Sequence, residues 1–357
     1  MSYNKITIWI IVRNEEKTLP QTLKHLFTQS YPLQDYCEII IADGNSSDKT
    51  REVAEEILSK SSISYKILNE QIFKDTKGVW YGHSRGRNVI LMHANTKSKY
   101  IAWIDGDCRA DQDWLLNLRK IIKDNTDPMI AWAGGTRFVE TEWENISIKE
   151  LVLNYYFTSN IISLGNPAFS PKTHITHIPS VAGYNSIFKK EIFGTYNYDS
   201  TFPFNTDDLE LNYRLTQDGY KFLYAKDATI YHRGEETIQW FLRQMNNYGK
   251  WVAYTIRIHR DPFVRLYAWI SLAYVVYTIL LPILIFLSAM YLDHRTFPLL
   301  PYGLLFLLWW AVAIENYKKT SSVQSIIVIP VLFGHLRYYG IWVIQWLLEA
   351  KKSPWNK

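Results

Sequence analysis

Three hundred and fifty-seven residues, 48% hydrophobic and 20% charged, are enough for one large folded domain or two modest ones and exclude a disordered or collagen-like protein. Two cysteines, Cys37 and Cys108, exclude a disulfide framework and a cysteine-rich zinc centre and point to a reducing compartment. The net charge of +5 is unevenly placed: residues 1–261 carry 31 basic and 31 acidic side chains, residues 262–357 eight and three, so the excess marks the most apolar stretch and indicates a membrane, not nucleic acid.

In chain order, β-rich runs alternate with helix-like ones. TIWIIV precedes a helical stretch over 16–30, EIIIAD one over 47–60, SYKIL one over 83–95, and YIAWID one over 111–125. Such alternation predicts an α/β fold, a parallel sheet with helices on both faces. Ligands of these sheets sit at the carboxyl ends of the strands, which singles out Asn14-Glu15, Asp43-Gly44 and Asp105-Gly106-Asp107. On a sharp turn, Asp105 and Asp107 can converge on a hard divalent cation that would neutralise a departing diphosphate. An isolated D-x-D is otherwise a solvated turn; here the strand end and Asp43 favour a nucleotide site. The segment GVWYGHSRGRN, with Gly78, Gly82, Gly86, Arg85 and Arg87, reads as a mobile basic loop able to close over phosphates.

Further along, TDDLELNYRL predicts a helix start with Thr206 or Asp207 as cap and Asp207 and Glu210 at capping-box spacing. Capping alone would account for Asp207. An ionised Asp208 beside a sugar hydroxyl is what a general base requires. From Thr237 to Arg257 the apolar residues Ile238, Phe241, Met245, Tyr248 and Val252 recur at helical spacing, predicting an amphipathic helix on the membrane surface. Gln244, Tyr248 and Trp251 lie on a neighbouring stripe and suit a sugar. Residues 147–164 give a second interfacial candidate that core packing explains equally well.

Leu266 to Leu292 runs 27 residues without Asp, Glu, Lys or Arg, more than the roughly 20 that a spanning helix needs. Phe297 to Ile314 predicts a second span, anchored by Lys318 and Lys319. Val323 to Leu348 carries His335 and Arg337 in its middle, so it either crosses with Arg337 against protein or lies as a broken interfacial helix. The short run Ile6 to Val12 ends in Arg13-Asn14-Glu15-Glu16 and is no signal peptide. The expected organisation is a catalytic domain over 1–235 on the cytoplasmic side, an interface helix over 236–260, and a membrane domain over 261–357 in a multi-pass cell-membrane protein.

Taken together, VRNEEKTLPQTL, ADGNSSDKT, RGRN, IDGDCRADQDWL, AGYNSIFKKEIF, TDDLELNYRL and RQMNNYGKW resemble the membrane-bound glycosyltransferases of family 2, which have the nucleotide-binding GT-A fold. The likeness covers about residues 6 to 258. It implies inverting transfer of a sugar from a nucleotide-sugar with a divalent metal, manganese or magnesium, on the diphosphate. Carried onto this chain, it gives Asn14, Glu15 and Asp43 to the nucleoside, Asp105 to ribose or metal, and Asp107 and His232 to the metal; the basic loop assigns Arg87 to the donor phosphates. The resemblance makes Asp208 the base; the helix stripe and the adjacent acid put Gln244, Tyr248, Trp251 and Asp207 on the acceptor side. Ile11 stands where the family has proline, Asp207-Asp208 where it has Glu-Asp. The Q-x-x-R-W motif of processive members reads Gln244-Met245-Asn246-Asn247-Tyr248. The layout resembles a reduced cellulose-synthase-like architecture and the archaeal and bacterial enzymes that build lipid-linked glycans. The expected function is transfer of one hexose, mannose from GDP-mannose foremost, to a hydroxyl of a lipid-linked or membrane-associated saccharide, with membrane lipids as partners. The alternatives are a polyprenyl-phosphate sugar synthase, whose acceptor needs no base, and an inactive membrane scaffold.

Overall fold

A computed structural model describes residues 5–33, 37–69, 82–141, 147–148, 182–199, 207–233 and 299–323, with positions 269, 276 and 280. The chain divides into two compact units, Met1–Glu144 with Ser163–Gly234, and Asn145–Ile162 with Glu235–Lys357.

The first unit is built on an eight-stranded sheet in the order β3-β2-β1-β4-β7-β6-β8-β5. Strands β1 (Ile6–Val12), β2 (Cys37–Asp43), β3 (Ser64–Leu68) and β4 (Tyr100–Asp105) pair in parallel, as the alternation of runs requires. β1 and β2 are apolar nearly throughout because each is covered on both faces. Alternate β1 residues serve different layers. Ile6, Ile8, Ile10 and Val12 pack with α1 (Leu19–Phe27), α2 (Thr50–Ser59) and α4 (Trp114–Asp124), and Trp9 packs with Ile90 of α3 (Gly82–His93) and Leu211 and Leu215 of α5 (Asp207–Gln217). Helices thus lie on both faces. Each wholly buried large apolar side chain contributes about 1.5–3 kcal/mol to this arrangement.

The far half of the sheet departs from the parallel expectation. β7 (Asn185–Lys189) runs antiparallel to β4 and to β6 (Ile130–Val139), β8 (Lys221–His232) runs parallel to β6, and short β5 (Cys108–Ala110) closes the edge antiparallel to β8. The register Cys108↔His232 makes the residue after the D-G-D turn the direct neighbour of His232. β6 and β8 are irregular at Gly135/Thr136, where a Cβ on Gly135 would stand 2.1 Å from the Ala228 carbonyl oxygen. Gly135→Ala is expected to destabilise the unit by about 1–3 kcal/mol, read as a lower denaturant midpoint at unchanged slope. An unchanged midpoint would show that the backbone there yields freely.

Of the second unit, α6 (Leu299–Thr320) is described; it contains most of the second expected span. Leu307, Trp310 and Ile314 are exposed at helical spacing, and Lys319 pairs with Glu315 at 3.1 Å. Among the described residues no helix is long and apolar enough to cross a membrane. The expected interface helix over 236–260, the segment 323–348 beyond Val323, and all of the first span but three positions lie outside the described residues.

Candidate active site

The carboxyl ends of three adjacent parallel strands meet at one edge. Val12 is in register with Asp43 and Ile11 with Asp105, so the two acids flank the end of β1. The chain leaves β1 through Asn14 in the left-handed region (φ 59°), which asparagine tolerates better than most residues. The Asn14 side-chain carbonyl accepts the Ser47 amide at 2.8 Å, and the Asn14 amide donates to Ser46 Oγ at 2.9 Å. Asp43, 5% exposed, accepts the Ser46 amide at 3.1 Å and the Ser46 hydroxyl. The Glu15 amide donates to Thr50 Oγ1 at 2.7 Å, and its carboxylate accepts from the Thr18 hydroxyl. Asn14, Glu15 and Asp43 therefore shape one stitched pair of loops.

The D-G-D turn follows β4. A Cβ on Gly106 would lie 2.6 Å from Val12 Cγ1, so the close approach of β1 dictates glycine between the acids. His232 Nε2 is 3.5 Å from an Asp107 oxygen and 3.8 Å from an Asp105 oxygen. Trp103 Nε1–H donates to Asp105 Oδ1 at 3.1 Å. The Cys108 thiol completes a group with Asp107 and His232 whose ligand atoms lie within 4.8 Å of one another. Burial pushes that thiol's pKa well up, and Asp107 and Asp105 push it further. The carboxylate oxygens of Asp105 and Asp107 are the hard donors that manganese or magnesium take, with the His232 imidazole beside them.

Two residues of this cluster escaped the sequence reading. Arg137, a cation in an otherwise apolar strand run, is 8% exposed and sets Nη2 3.4 Å from His232 Nδ1. An arginine only donates, so in this arrangement Nδ1 accepts and the proton sits on Nε2; a cation on Nε2 would move that proton to Nδ1 and displace the Arg137 contact. The Tyr184 ring stands edge-on to His232, centroids 5.1 Å apart. A cation inside a strand was the available signal for Arg137; Tyr184 had none.

Asp208 lies in the first turn of α5, half-buried, and accepts the Gly183 amide at 3.1 Å. Gly183 and Tyr184 are consecutive, so one short segment touches both Asp208 and His232.

Two expectations change. Arg87 is not on a mobile loop but within the helical stretch expected over 83–95: it sits in α3, 7% exposed, with its guanidinium on the Asp207 carboxylate and 3.6 Å from the Trp103 ring centroid. Asp207, expected toward the acceptor, is fully buried. Burial drives its pKa up against the pull of Arg87 and of the Ser84 hydroxyl. Glu210, the other half of the expected capping box, forms a two-point ion pair with Arg214 at 2.7 and 2.8 Å. Thr206, Gly78, Gln244, Tyr248 and Trp251 lie outside the described residues.

A parallel α/β half-sheet with a D-G-D turn, a histidine brought beside it and a carboxylate at the start of α5 fit a GT-A-like glycosyltransferase. The family model for glycosyl transferase family 2 matches residues 7–196, more than half the sequence, and the chain belongs to that family. Its relatives include the dolichyl N-acetyl-alpha-D-glucosaminyl phosphate 3-beta-D-2,3-diacetamido-2,3-dideoxy-beta-D-glucuronosyltransferase of Methanococcus voltae, 27% identical over 69% of this chain and 72% of that one. Succinoglycan biosynthesis protein ExoA of Rhizobium meliloti is 23% identical over 88% of each. Among solved structures, mannosyltransferase PcManGT from Pyrobaculum calidifontis, in complex with GDP-Man and Mn2+, shares the fold with a TM-score of 0.63 at 17% identity, over 98% of this chain and 89% of that one.

Proposed function

We propose that this chain is a metal-dependent inverting glycosyltransferase that adds a single hexose to a hydroxyl of a lipid-linked saccharide at the cytoplasmic face of a cell membrane. The observation that carries the reading is the cluster of Asp105, Asp107 and His232, joined to Asp208 through residues 183–184. Asp105, Asp107 and His232 would hold the cation, which offsets the charge on the leaving diphosphate. Asn14, Glu15 and Asp43 frame the nucleoside. Asp208 takes the proton of the acceptor hydroxyl as its oxygen bonds the anomeric carbon; the bond from that carbon to the diphosphate breaks, and nucleoside diphosphate leaves. A phosphate acceptor would need no such base, so a well-placed Asp208 favours a hydroxyl.

The Methanococcus voltae relative is named for a dolichyl-phosphate-linked sugar acceptor, which supports a lipid-linked saccharide here. GDP-mannose is the donor we put first, on the resemblance to archaeal glycan-building enzymes; the mannosyltransferase that shares the fold was solved with GDP-Man and Mn2+. The apolar stripe Leu307, Trp310 and Ile314 and the uncharged stretch Leu266 to Leu292 support membrane association. Gln244, Tyr248 and Trp251 are assigned to the acceptor. Two or three spans are too few to wall a sugar polymer off from lipid, and Asn247 and Tyr248 replace the arginine and tryptophan of processive members, so one sugar is added per acceptor.

Purified full chain, given manganese or magnesium, a panel of nucleotide-sugars and a short lipid-linked acceptor, is expected to yield one added hexose by mass spectrometry. No metal-dependent turnover with any donor would sink the reading. Transfer to bare polyprenyl phosphate alone would establish the synthase alternative, and a product ladder at low enzyme would overturn single addition. Tighter binding of UDP than GDP would reverse the donor choice.

A further inference from the structure

We propose that Arg87 is a positioning residue: its guanidinium, clamped on Asp207 and laid over Trp103, fixes the first turn of α5 so that Asp208 stays on the Gly183 amide beside the D-G-D turn. This rests on the function proposed above.

The pair is placed for geometry more than for stability. Arg87 is 7% exposed and Asp207 0%, and among the described residues Arg87 Nε and Asp207 Oδ2 have no partner. Desolvation makes such a buried pair no better for stability than apolar side chains of equal volume, and its established use elsewhere is to select one arrangement. Here the arrangement selected is that of the next residue along, Asp208. The anchoring is firm at the other end, because Asn88 donates to the Tyr198 carbonyl at 2.7 Å and accepts the Tyr198 amide at 3.0 Å. α3 is thereby pinned where Arg87 leaves it.

Trp103 makes the link to the metal acids. It stacks on Trp9 with centroids 5.2 Å apart, lies under Arg87, and donates to Asp105. A Cβ on Gly183 would stand 2.3 Å from the Trp103 ring, so the residue whose amide holds Asp208 is seated on that ring. Arg87 through Asp207, and Gly183 directly, thus refer Asp208 to the indole that also bonds Asp105. At 7% exposure Arg87 presents little of its guanidinium to a donor phosphate.

The test uses the full chain carrying Arg87→Met together with Asp207→Leu, an apolar pair in place of the ionic one. Hydrogen exchange at the Gly183 amide is expected to speed up by about tenfold or more. Transfer should fall by about 10–100-fold through kcat. GDP or UDP affinity should stay within about threefold, and the melting temperature should not drop. Unchanged Gly183 exchange, or faster exchange with undiminished transfer, overturns the proposal. So does a loss of nucleotide affinity beyond about tenfold, which would return Arg87 to the donor phosphates. Should the double variant not fold, the nearly isosteric Asp207→Asn is measured for exchange, transfer and nucleotide affinity with the same readings; its melting temperature is expected to fall, because the Arg87 charge is left buried without its partner. The exchange measurement needs no substrate, so its failure is distinct from failure of the glycosyltransfer reading, which would show as no transfer by the unaltered chain.

Discussion

Asp208→Asn is expected to leave nucleotide affinity within about threefold of the unaltered chain while transfer falls by about 10²–10⁴-fold, the usual worth of a positioned general base. The substitution isolates basicity from shape. Asparagine has the same outline, and its carbonyl can still accept the Gly183 amide that Asp208 accepts at 3.1 Å. What it cannot do is take a proton from the acceptor hydroxyl. Calorimetry with nucleoside diphosphate and single-turnover transfer measure the two halves separately. Near-normal transfer would place the base on another residue, and a matching loss of nucleotide binding would make Asp208 a donor ligand.

Where the sequence was legible, the physics was local. Three of the four parallel strands could be read because buried strands are nearly continuous apolar runs: ITIWIIV leads into Arg13-Asn14-Glu15, and CEIIIAD and YIAWID end in Asp43 and Asp105. The D-G-D turn could be read for its acids, though the reason for its glycine, the methyl of Val12, belongs to a neighbouring strand. The antiparallel half of the sheet could not be read. β7 inserts between β4 and β6, and β5 pairs with β8, more than 100 positions later in the chain, and no periodicity encodes either pairing.

The misread residues fail for the same reason. Two glycines and two arginines around Ser84 look like a phosphate loop because glycine weakens a helix, and of the two expectations for this segment the helix over 83–95 is the one that holds. Arg87 meets Asp207 at a separation of 120 residues, and Asn88 meets Tyr198 at 110. From sequence alone, Asp207 had only its capping pattern to be judged by, and that pattern says nothing of an arginine on another helix. The two adjacent acids differ accordingly: Asp207 is buried against Arg87, and Asp208 is half-buried, as its proposed role of base requires.

Asp107→Ala is expected to act on the other half of the reaction, weakening metal-dependent binding of nucleoside diphosphate by about 10²-fold, some 2.7 kcal/mol. Asp107 contributes its side chain to the cluster and its backbone to the fold. Its carboxylate lies 3.5 Å from His232 Nε2, and its carbonyl accepts the Arg233 amide at 3.1 Å, a bond alanine retains. The variant therefore keeps the β5 to β8 junction and loses one hard oxygen donor. Asp105 and His232 remain, with Arg137 beside His232 Nδ1 now less balanced by negative charge, which disfavours a cation further. Titration with and without manganese should show the loss only in the metal-containing arm, with metal-free affinity unchanged or raised. Equal affinity and equal metal dependence in Asp107→Ala and the unaltered chain would remove Asp107 from the metal and leave the D-G-D turn a structural feature of the sheet edge.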